Sequence, residues 1–283
     1  MLDFYQYLPS HLSPIAFTIG PFAIRWYGLS YLIGFFVVYK LLLWRIKKGE
    51  LIFLESKIQS PKPAEMKNLL LDYLLVIFFV GILGGRLGYV LFYDFLYFLS
   101  HPLAIFSPFD QNSGEFVGIF GMSYFGALVG ATLATFFYAK IKKINFLAWA
   151  DFVVVALPAG YFFGRIGNFL NGELYGRVTE LNIGMYFLAD ENFLRHPSQL
   201  YEAFFEGIVF FLLLWSIRNK KLKNGALLGL YLLGYSLVRF CIEQLREPDL
   251  QLGLFWNYFT MGQLLSCVSF AVGIFLFVSK KIK

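Results

Sequence analysis

The sequence is poor in charge. Only 15% of its residues are charged, whereas 58% are hydrophobic. This composition leaves too little polar surface to cover a water-soluble globule, and long apolar runs recur from one end of the chain to the other. The composition excludes an ordinary soluble domain and predicts an integral membrane protein.

Cysteine and histidine are also scarce. The two cysteines, Cys241 and Cys267, lie within apolar runs, where we expect packing residues and no structural disulfide. The three histidines, His11, His101 and His196, are far apart and show no i, i+4 ligand spacing. The sequence therefore predicts no metal site, and nothing in it indicates a cofactor.

Apolar segments long enough to cross a hydrocarbon core of ~30 Å recur along the chain. They predict an all-α membrane protein with seven transmembrane helices, at about 20–44, 69–93, 118–139, 150–167, 199–217, 225–245 and 257–279. The fourth is the shortest, so we expect it to tilt or break. We interpret residues 1–283 as one membrane domain, with residues 168–197 as a small periplasmic head between helices four and five.

Lysine and arginine are distributed differently along the chain. Lysine-rich connections follow the first, third, fifth and seventh spans, which predicts a cytoplasmic C-terminus and an outward N-terminus. Under this topology several arginines lie near the outer side: Arg25, Arg86, Arg165, Arg177, Arg195, Arg239 and Arg246. Because guanidinium binds phosphate and carboxylate bidentately, these arginines indicate a site for an anionic group. The alternative is that they snorkel to headgroups or pair with glutamates.

Residues 164–177 place glycines, amides and charges at the end of an apolar run. A charge at this boundary, here Arg165, needs compensation from a protein partner, water or an anionic ligand. The pattern Gly-Arg-aliphatic-Gly that begins at Gly164 also occurs at Gly85, which is a hint of internal symmetry. The segment is therefore a candidate site.

Two further constellations lie on predicted helices. Arg239, Glu243 and Arg246 share one helical face, so they can form a ladder with net positive charge. Glu202 and Glu206 are likewise four residues apart, and a carboxylate that faced lipid would be unfavourable. We expect both glutamates to face the bundle and to pair with arginines or backbone donors.

With these motifs in view, the chain resembles the prolipoprotein diacylglyceryl transferases over almost its whole length. The matching segments are 24–28, 84–93, 164–177, 195–202 and the helix-six ladder that continues into Pro248 and Asp249. The resemblance implies transfer of a diacylglyceryl group from phosphatidylglycerol to the lipobox cysteine of a prelipoprotein signal peptide, with release of glycerol phosphate. It also implies a multi-pass protein of the bacterial inner membrane, with its active site toward the outer leaflet. The implied partners are these two substrates and membrane lipids, without nucleic acid.

The resemblance also implies roles for individual residues. Arg165 and Arg239 are expected to bind the phosphate during catalysis, with Glu173 and Tyr235 beside them in the catalytic set. The expected lipid-binding and positioning residues are Asn168, Gly176, Tyr27, Arg86, Arg246, Glu243 and Glu202.

One position departs from the family pattern. A histidine proposed as the base for the thiol commonly stands where this chain has Phe125. Either another acceptor serves, or the histidine is not a general base in the family, or this copy is inactive. The candidate acceptors are Glu173, His196, Tyr124 and the leaving phosphate. The rival functions are a lipid-binding homologue without the chemistry and an anion transporter.

Overall fold

A computed structural model describes residues 2–20, 22–50, 63–93, 95–107, 121–248, 253, 255–256 and 258–279. Most of these residues are helical. The α-helices are α1 (Leu2–Gln6), α2 (Leu8–His11), α3 (Trp26–Lys47), α4 (Pro63–Phe92), α5 (Phe95–Ser100), α6 (Tyr124–Ile141), α7 (Phe146–Val154), α8 (Leu157–Leu170), α9 (Ser198–Glu202), α10 (Phe210–Ile217), α11 (Ala226–Ile242) and α12 (Met261–Val278). A 3₁₀ turn spans Pro102–Ile105, and a π-helical segment, Ala203–Val209, joins α9 to α10.

Four of the described helices are long and apolar enough to cross a membrane. They are Trp26–Lys47, Ala64–Phe92, Ser198–Ile217 and Met261–Val278. Two shorter apolar helices lie at Phe125–Ile141 and Ala226–Ile242. The composition and these helices agree with a membrane protein, as predicted. Each of the seven predicted segments contains an apolar helix, but the number that cross the membrane stays a prediction.

The fourth predicted span, expected to tilt or break, is bent. Helices Phe146–Val154 and Leu157–Leu170 meet at 50° and together pass the length and composition test for one span. Pro158 lies in the first turn of the second helix. Because proline lacks an amide hydrogen, it cannot continue the hydrogen-bond ladder of the preceding helix, which explains why the bend occurs here.

Two antiparallel hairpins accompany the helices, and the all-α prediction did not include them. Strand β1 (Ile15–Ile19) pairs with β2 (Phe22–Arg25), and β3 (Met185–Phe187) pairs with β4 (Asp190–Arg195). The first apolar helix therefore begins at Trp26, not at residue 20 as predicted. Residues 15–25 favour strands because they are rich in aromatic and β-branched side chains, and Gly20 supplies a positive φ of 56° next to the turn.

The chain divides into two compact units. One comprises Met1–Glu50 and Ala150–Lys283, and the other comprises Leu51–Trp149. In the first unit α3 packs on α8, α8 packs on α9 and the π-helical segment, and α11 packs on α12. In the second unit α4 packs on α6. The single membrane domain over 1–283 stays a prediction.

Residues 171–195, within the predicted head, pack on the end of α8. Phe169, Met185 and Phe187 form a buried cluster, against which Tyr175 and Leu200 pack. The N-terminal helices cover the same hairpin, through a stack of Tyr7 on Tyr186 with ring centroids 4.6 Å apart and a hydrogen bond from Tyr5 to the carbonyl of Ile183. This packing fixes the polar segment that follows α8.

Glycines let the apolar helices approach closely, as the small-xxx-small spacing predicts. A Cβ atom on Gly84 of α4 would lie 2.5 Å from the carbonyl oxygen of Gly126 and 3.0 Å from the Cα atom of Gly130, both on α6. A Cβ atom on Gly34 of α3 would lie 2.8 Å from the carbonyl oxygen of Gly160 on α8. In both cases the obstacle is backbone, which cannot rotate away.

We predict that Gly84→Ala lowers the stability of the protein by about 1–3 kcal/mol, because the added methyl group overpacks the contact between α4 and α6. Gly81→Ala on the same helix is the matched control, since its nearest neighbour, the carbonyl oxygen of Ala127, would be 3.9 Å away. Thermal unfolding in detergent measures both. Equal midpoints for the two variants would contradict the packing role of Gly84.

Candidate functional site

The centre of the site is the carboxylate of Glu202, which is fully buried. Its Oε2 lies 2.6 Å from Nε of Arg165 and 3.0 Å from Nη1 of Arg239, and it accepts a hydrogen bond of 2.9 Å from Tyr161. Its Oε1 lies 3.1 Å from Nη1 of Arg246. One carboxylate thus holds three guanidinium groups, brought from α8, from α11 and from the residues just after α11.

A second carboxylate supports two of these guanidiniums. Glu243 Oε2 lies 2.8 Å from Nη2 of Arg239 and 3.6 Å from Nε of Arg246. The predicted ladder of Arg239, Glu243 and Arg246 therefore forms. We name Arg165, Arg239, Arg246, Glu202 and Glu243 the arginine cluster. Its three positive and two negative groups leave one net positive charge.

The segment after α8 connects to this cluster through amides. Nη1 of Arg165 donates to Oδ1 of Asn168 over 3.2 Å, and Nδ2 of Asn168 donates to Glu173 over 2.7 Å. Asn171 donates to the other oxygen of Glu173 over 2.9 Å, and Gln199 donates to the backbone carbonyl of Glu173. Arg165, Asn168 and Glu173 thus form one hydrogen-bonded chain.

Local sequence explains this arrangement. Tyr161, Arg165 and Asn168 are spaced by four and three residues, so α8 presents them on one face. Pro197 is the N-cap residue of α9, which begins at Ser198 and ends at Glu202. Arg165 and Arg239 keep 13% and 12% of their side-chain surface accessible, whereas Glu202 keeps 1%. The two arginine side chains therefore keep some accessible surface, and the carboxylate between them keeps almost none.

Gly176 has a packing reason in the structure. A Cβ atom there would clash with the carbonyl oxygen of Leu245 and lie 2.7 Å from Cβ of His196. Its amide donates to the carbonyl of His196 over 2.7 Å, and Arg177 donates from its amide to Leu245. Only glycine allows this close approach of the segment to the residues after α11. The predicted contact of Gly176 with lipid stays a prediction.

Two predicted tyrosines flank α8. Tyr27 on α3 donates to the hydroxyl of Tyr31 over 3.2 Å, and its backbone lies against Gly167. Tyr235 on α11 meets the ring of Tyr161 edge to face, with centroids 6.1 Å apart. Both therefore pack beside the helix that carries Arg165, which agrees with their selection from sequence but does not test their roles.

Comparison with known proteins identifies the family. A family model described as prolipoprotein diacylglyceryl transferase matches residues 14–279. The chain belongs to this family. It is 47% identical to a phosphatidylglycerol–prolipoprotein diacylglyceryl transferase of Chlorobaculum tepidum, over 99% of this chain and 95% of the relative. It is 40% identical to the protein of the same name from Campylobacter jejuni, over 100% of this chain and 98% of the relative.

Arg86 lies in the compact unit Leu51–Trp149, whereas the arginine cluster lies in the unit that comprises Met1–Glu50 and Ala150–Lys283. Its Nε donates to the carbonyl of Ile105 over 2.7 Å, Nη2 donates to Ala104 over 2.7 Å, and Nη1 donates to Gly121 over 3.1 Å. Its guanidinium also lies over the ring of Phe98. The two arginines of the repeated Gly-Arg-aliphatic-Gly pattern thus have different surroundings: Arg86 binds backbone carbonyls, whereas Arg165 binds a carboxylate. The predicted role of Arg86 at the lipid stays a prediction.

Phe125, where the family commonly has histidine, lies half-buried in the first turn of α6. The preceding Ser123 is the N-cap residue and accepts a hydrogen bond from the amide of Gly126 over 3.3 Å. The amide of Ser123 in turn donates to the carbonyl of Gly85 over 2.8 Å. The helix start is therefore well formed with phenylalanine at position 125.

Sequence reasoning missed Tyr161, Asn171 and Gln199 as members of the site. The four-residue step from Tyr161 to Arg165 on a helix was a usable signal for the first. Asn171 lies within the candidate segment 164–177 and Gln199 within the matching segment 195–202, but neither was singled out, because their contacts depend on the turn after α8. Cys241 and Cys267 are free but exposed on the protein surface, so their assignment as packing residues was wrong. In the described part of the chain no three of His, Cys, Asp and Glu are grouped to hold a metal ion.

We predict that Glu202→Gln lowers stability by about 3–5 kcal/mol, because it leaves three guanidiniums with only one carboxylate. Glu247→Gln is the control, since Glu247 is 42% exposed and its partner Arg195 also pairs with Asp190. Exposed ion pairs contribute below about 1 kcal/mol. Thermal unfolding of both variants in detergent is the measurement, and a Glu202→Gln midpoint equal to that of the control would contradict this account.

Proposed function

We propose that this protein transfers a diacylglyceryl group from phosphatidylglycerol to the lipobox cysteine of a prelipoprotein, and that Arg165 and Arg239 bind the lipid phosphate. The observation that carries the proposal is the pair of largely buried, partly accessible arginine side chains whose guanidiniums are held by one carboxylate. A phosphodiester is an anion whose oxygens match the planar fork of arginine. Membership of the family and the names of the relatives support the same reaction.

The proposed reaction exchanges one bond for another at the glycerol carbon that bears the phosphate. The cysteine sulfur attacks this carbon, a C–S bond forms, and the C–O bond breaks with its electron pair moving to the phosphate oxygen. The thiol proton leaves the sulfur and, in the overall balance, protonates the glycerol phosphate product. Catalysis must therefore stabilise charge on the departing phosphate, which pre-oriented guanidiniums do without reorganisation.

The remaining predicted residues fit supporting roles around this phosphate. Glu202 and Glu243 fix the guanidinium forks, so the arginines lose little freedom when a phosphate binds. Asn168 and Glu173 hold Arg165 from the other side. Arg246 adds positive charge but is only 8% accessible, so we assign it to the electrostatics of the site and not to direct contact.

A group other than residue 125 must accept the thiol proton, because phenylalanine cannot. Glu173 is half-buried and is linked to Arg165 through Asn168. Burial lowers the pKa of His196, which keeps that imidazole neutral at pH 7 and able to accept a proton. The side chain of Tyr124, the third candidate, lies outside the described part of the structure. The leaving phosphate is the fourth candidate. We favour the phosphate, because the arginines bind it beside the attacked carbon and stabilise the thiolate as well.

For the topology we propose seven spans, with the periplasmic head and the arginine cluster toward the outer leaflet. Within the first unit, Gly167 of α8 packs on Ser30 and Tyr27 at the start of α3, so the cluster lies at the same end as the hairpins. Arg45, at the far end of α3, instead binds Glu50 over 2.7 Å. The lysine-rich connection between α10 and α11 adjoins this end of the first unit, because Arg218 pairs with the same Glu50, and the positive-inside rule assigns it to the cytoplasm.

The decisive experiment is transfer by the purified protein. Phosphatidylglycerol and a lipobox peptide are supplied, and the thioether product is sought by mass spectrometry. We expect product from the wild-type protein, with Phe125 in place. Retained binding of phosphatidylglycerol without product would instead favour a lipid-binding homologue, and transport of an anion across sealed vesicles without product would favour the transporter.

We predict that Arg165→Lys and Arg239→Lys each reduce turnover by about 100-fold or more, because a point charge does not replace a planar fork. Arg195→Lys is the matched control, since Arg195 pairs with Asp190 and Glu247, neither of which belongs to the cluster. Its turnover should stay close to that of the wild type. Near-normal rates in both cluster variants would contradict the phosphate-binding role.

We predict that a membrane-impermeant maleimide labels Ala189→Cys but not Lys221→Cys in intact cells. Both positions are exposed, one beside the second hairpin and the other between α10 and α11. The background for both is a protein with Cys241 and Cys267 changed to serine. Permeabilised cells should label both variants, and the reverse pattern in intact cells would invert the proposed orientation.

A further inference from the structure

Glu206 is a buried carboxyl group that the proposed mechanism does not use. Its exposed fraction is 1%, and among the described residues no arginine or lysine forms an ion pair with it. The Tyr161 hydroxyl lies within hydrogen-bonding reach of Glu206 but donates its proton to Glu202. We had expected Glu206 to pair with an arginine or a backbone donor, as Glu202 does, and this prediction was wrong. The two glutamates are four residues apart, but Glu202 takes all three guanidiniums.

The backbone around Glu206 departs from an ordinary α-helix. Residues Ala203–Val209 form a π-helix, a rare geometry that is frequent at functional sites. The wider π-helical turn shifts Glu206 relative to its α-helical direction. A Cβ atom on the neighbouring Gly207 would lie 2.8 Å from Cβ of Phe162, so the segment is pressed tightly onto α8. The carboxyl group is enclosed between helices.

Charged and titratable groups nevertheless face Glu206 from each helix around it. Glu202 precedes it on its own helix, Tyr161 and Arg165 lie on α8, and Arg239 lies on α11, all close enough to interact electrostatically. A second carboxylate next to Glu202 would repel it. An ionised carboxylate that is buried without a donor is strongly unfavourable, whereas a neutral carboxylic acid can be enclosed at far smaller penalty.

We propose that Glu206 is protonated, and therefore neutral, in the resting protein. The arginine cluster then keeps its single net positive charge, which can bind one phosphodiester. The inference rests on the proposed function, in that it concerns the net charge that the same lipid meets; Glu206 itself is assigned no contact with the lipid. Three guanidiniums and two carboxylates leave a charge of +1, which matches the −1 of a phosphodiester. An ionised Glu206 would cancel that charge.

Glu173 does not alter this balance in the same way. It is half-buried outside the helices, and two amide groups, of Asn168 and Asn171, donate to its oxygens. Asn168 also stands between Glu173 and the nearest guanidinium of the cluster. Its negative charge is therefore solvated and separated from the phosphate site, whereas Glu206 is enclosed beside the cluster.

The protonation state can be measured without turnover. The infrared spectrum of the wild-type protein at neutral pH should contain the carbonyl stretch of a protonated carboxylic acid that is missing from Glu206→Gln. Glu206→Met, which is unbranched and uncharged, serves as the second reference should the glutamine variant fail to fold. A difference spectrum with ionised carboxylate bands in place of the acid band would overturn the proposal.

Lipid binding gives an independent test. Nanodiscs that contain phosphatidylglycerol in phosphatidylcholine are the probe, and Glu206→Gln should bind phosphatidylglycerol within about twofold of wild type, since neither side chain is charged. Were Glu206 ionised, its removal would strengthen binding by about tenfold or more. Such a gain would contradict a neutral Glu206.

Turnover then separates this proposal from the function itself. Glu206→Gln should retain turnover within about threefold of wild type, whereas Glu202→Gln should lose about 100-fold or more. A folded Glu206→Gln that binds phosphatidylglycerol but loses turnover as Glu202→Gln does would show that the ionised group is needed, against the proposal. If the wild type forms no product, the proposed function fails, and the infrared and binding measurements still decide the state of Glu206.

Discussion

The structure of the site depends on one carboxylate shared among three guanidiniums. Glu202 is fully buried and contacts Arg165, Arg239 and Arg246, which come from two different parts of the chain. In a low-dielectric setting each guanidinium alone would be strongly unfavourable, and so would the carboxylate. The ion pairs between them offset this penalty, and the arginine cluster still has a net positive charge. This net positive charge is the basis of the proposed anion recognition.

The rest of the first unit supports this arrangement. Glycines on α3 and α8 allow these helices to touch, and the bend before Leu157 sets the direction of the helix that carries Arg165. The segment after α8 packs on the residues after α11 through Gly176. This contact connects the helix that carries Arg165 to the region that carries Arg239 and Arg246. As proposed, Glu206 is neutral and adds no negative charge next to the cluster. Packing and charge therefore act on the same few side chains.

Position 125 holds phenylalanine, where the resemblance leads us to expect histidine. Because phenylalanine cannot accept the thiol proton, the proposed mechanism depends on the leaving phosphate. The proposed chemistry needs a thiolate and a stabilised leaving group, and positive charge near both lowers the barrier for each. In this chain the arginine cluster supplies that charge, and the leaving phosphate is the acceptor that requires no further side chain. The helix start at Ser123 and Phe125 is well formed, although residue 125 offers no titratable group.

Much of this could be predicted from the sequence, because hydrophobicity and residue spacing are local properties. The apolar runs indicated the helices, the three- and four-residue steps gave the ladder of Arg239, Glu243 and Arg246, and the segment after Gly164 indicated a site. The hairpin at residues 15–25 was missed because its apolar residues also suit a membrane helix. Only the tertiary structure decided that Glu202 takes every guanidinium while Glu206 takes none, since that choice depends on a π-helical turn and on helices distant in sequence.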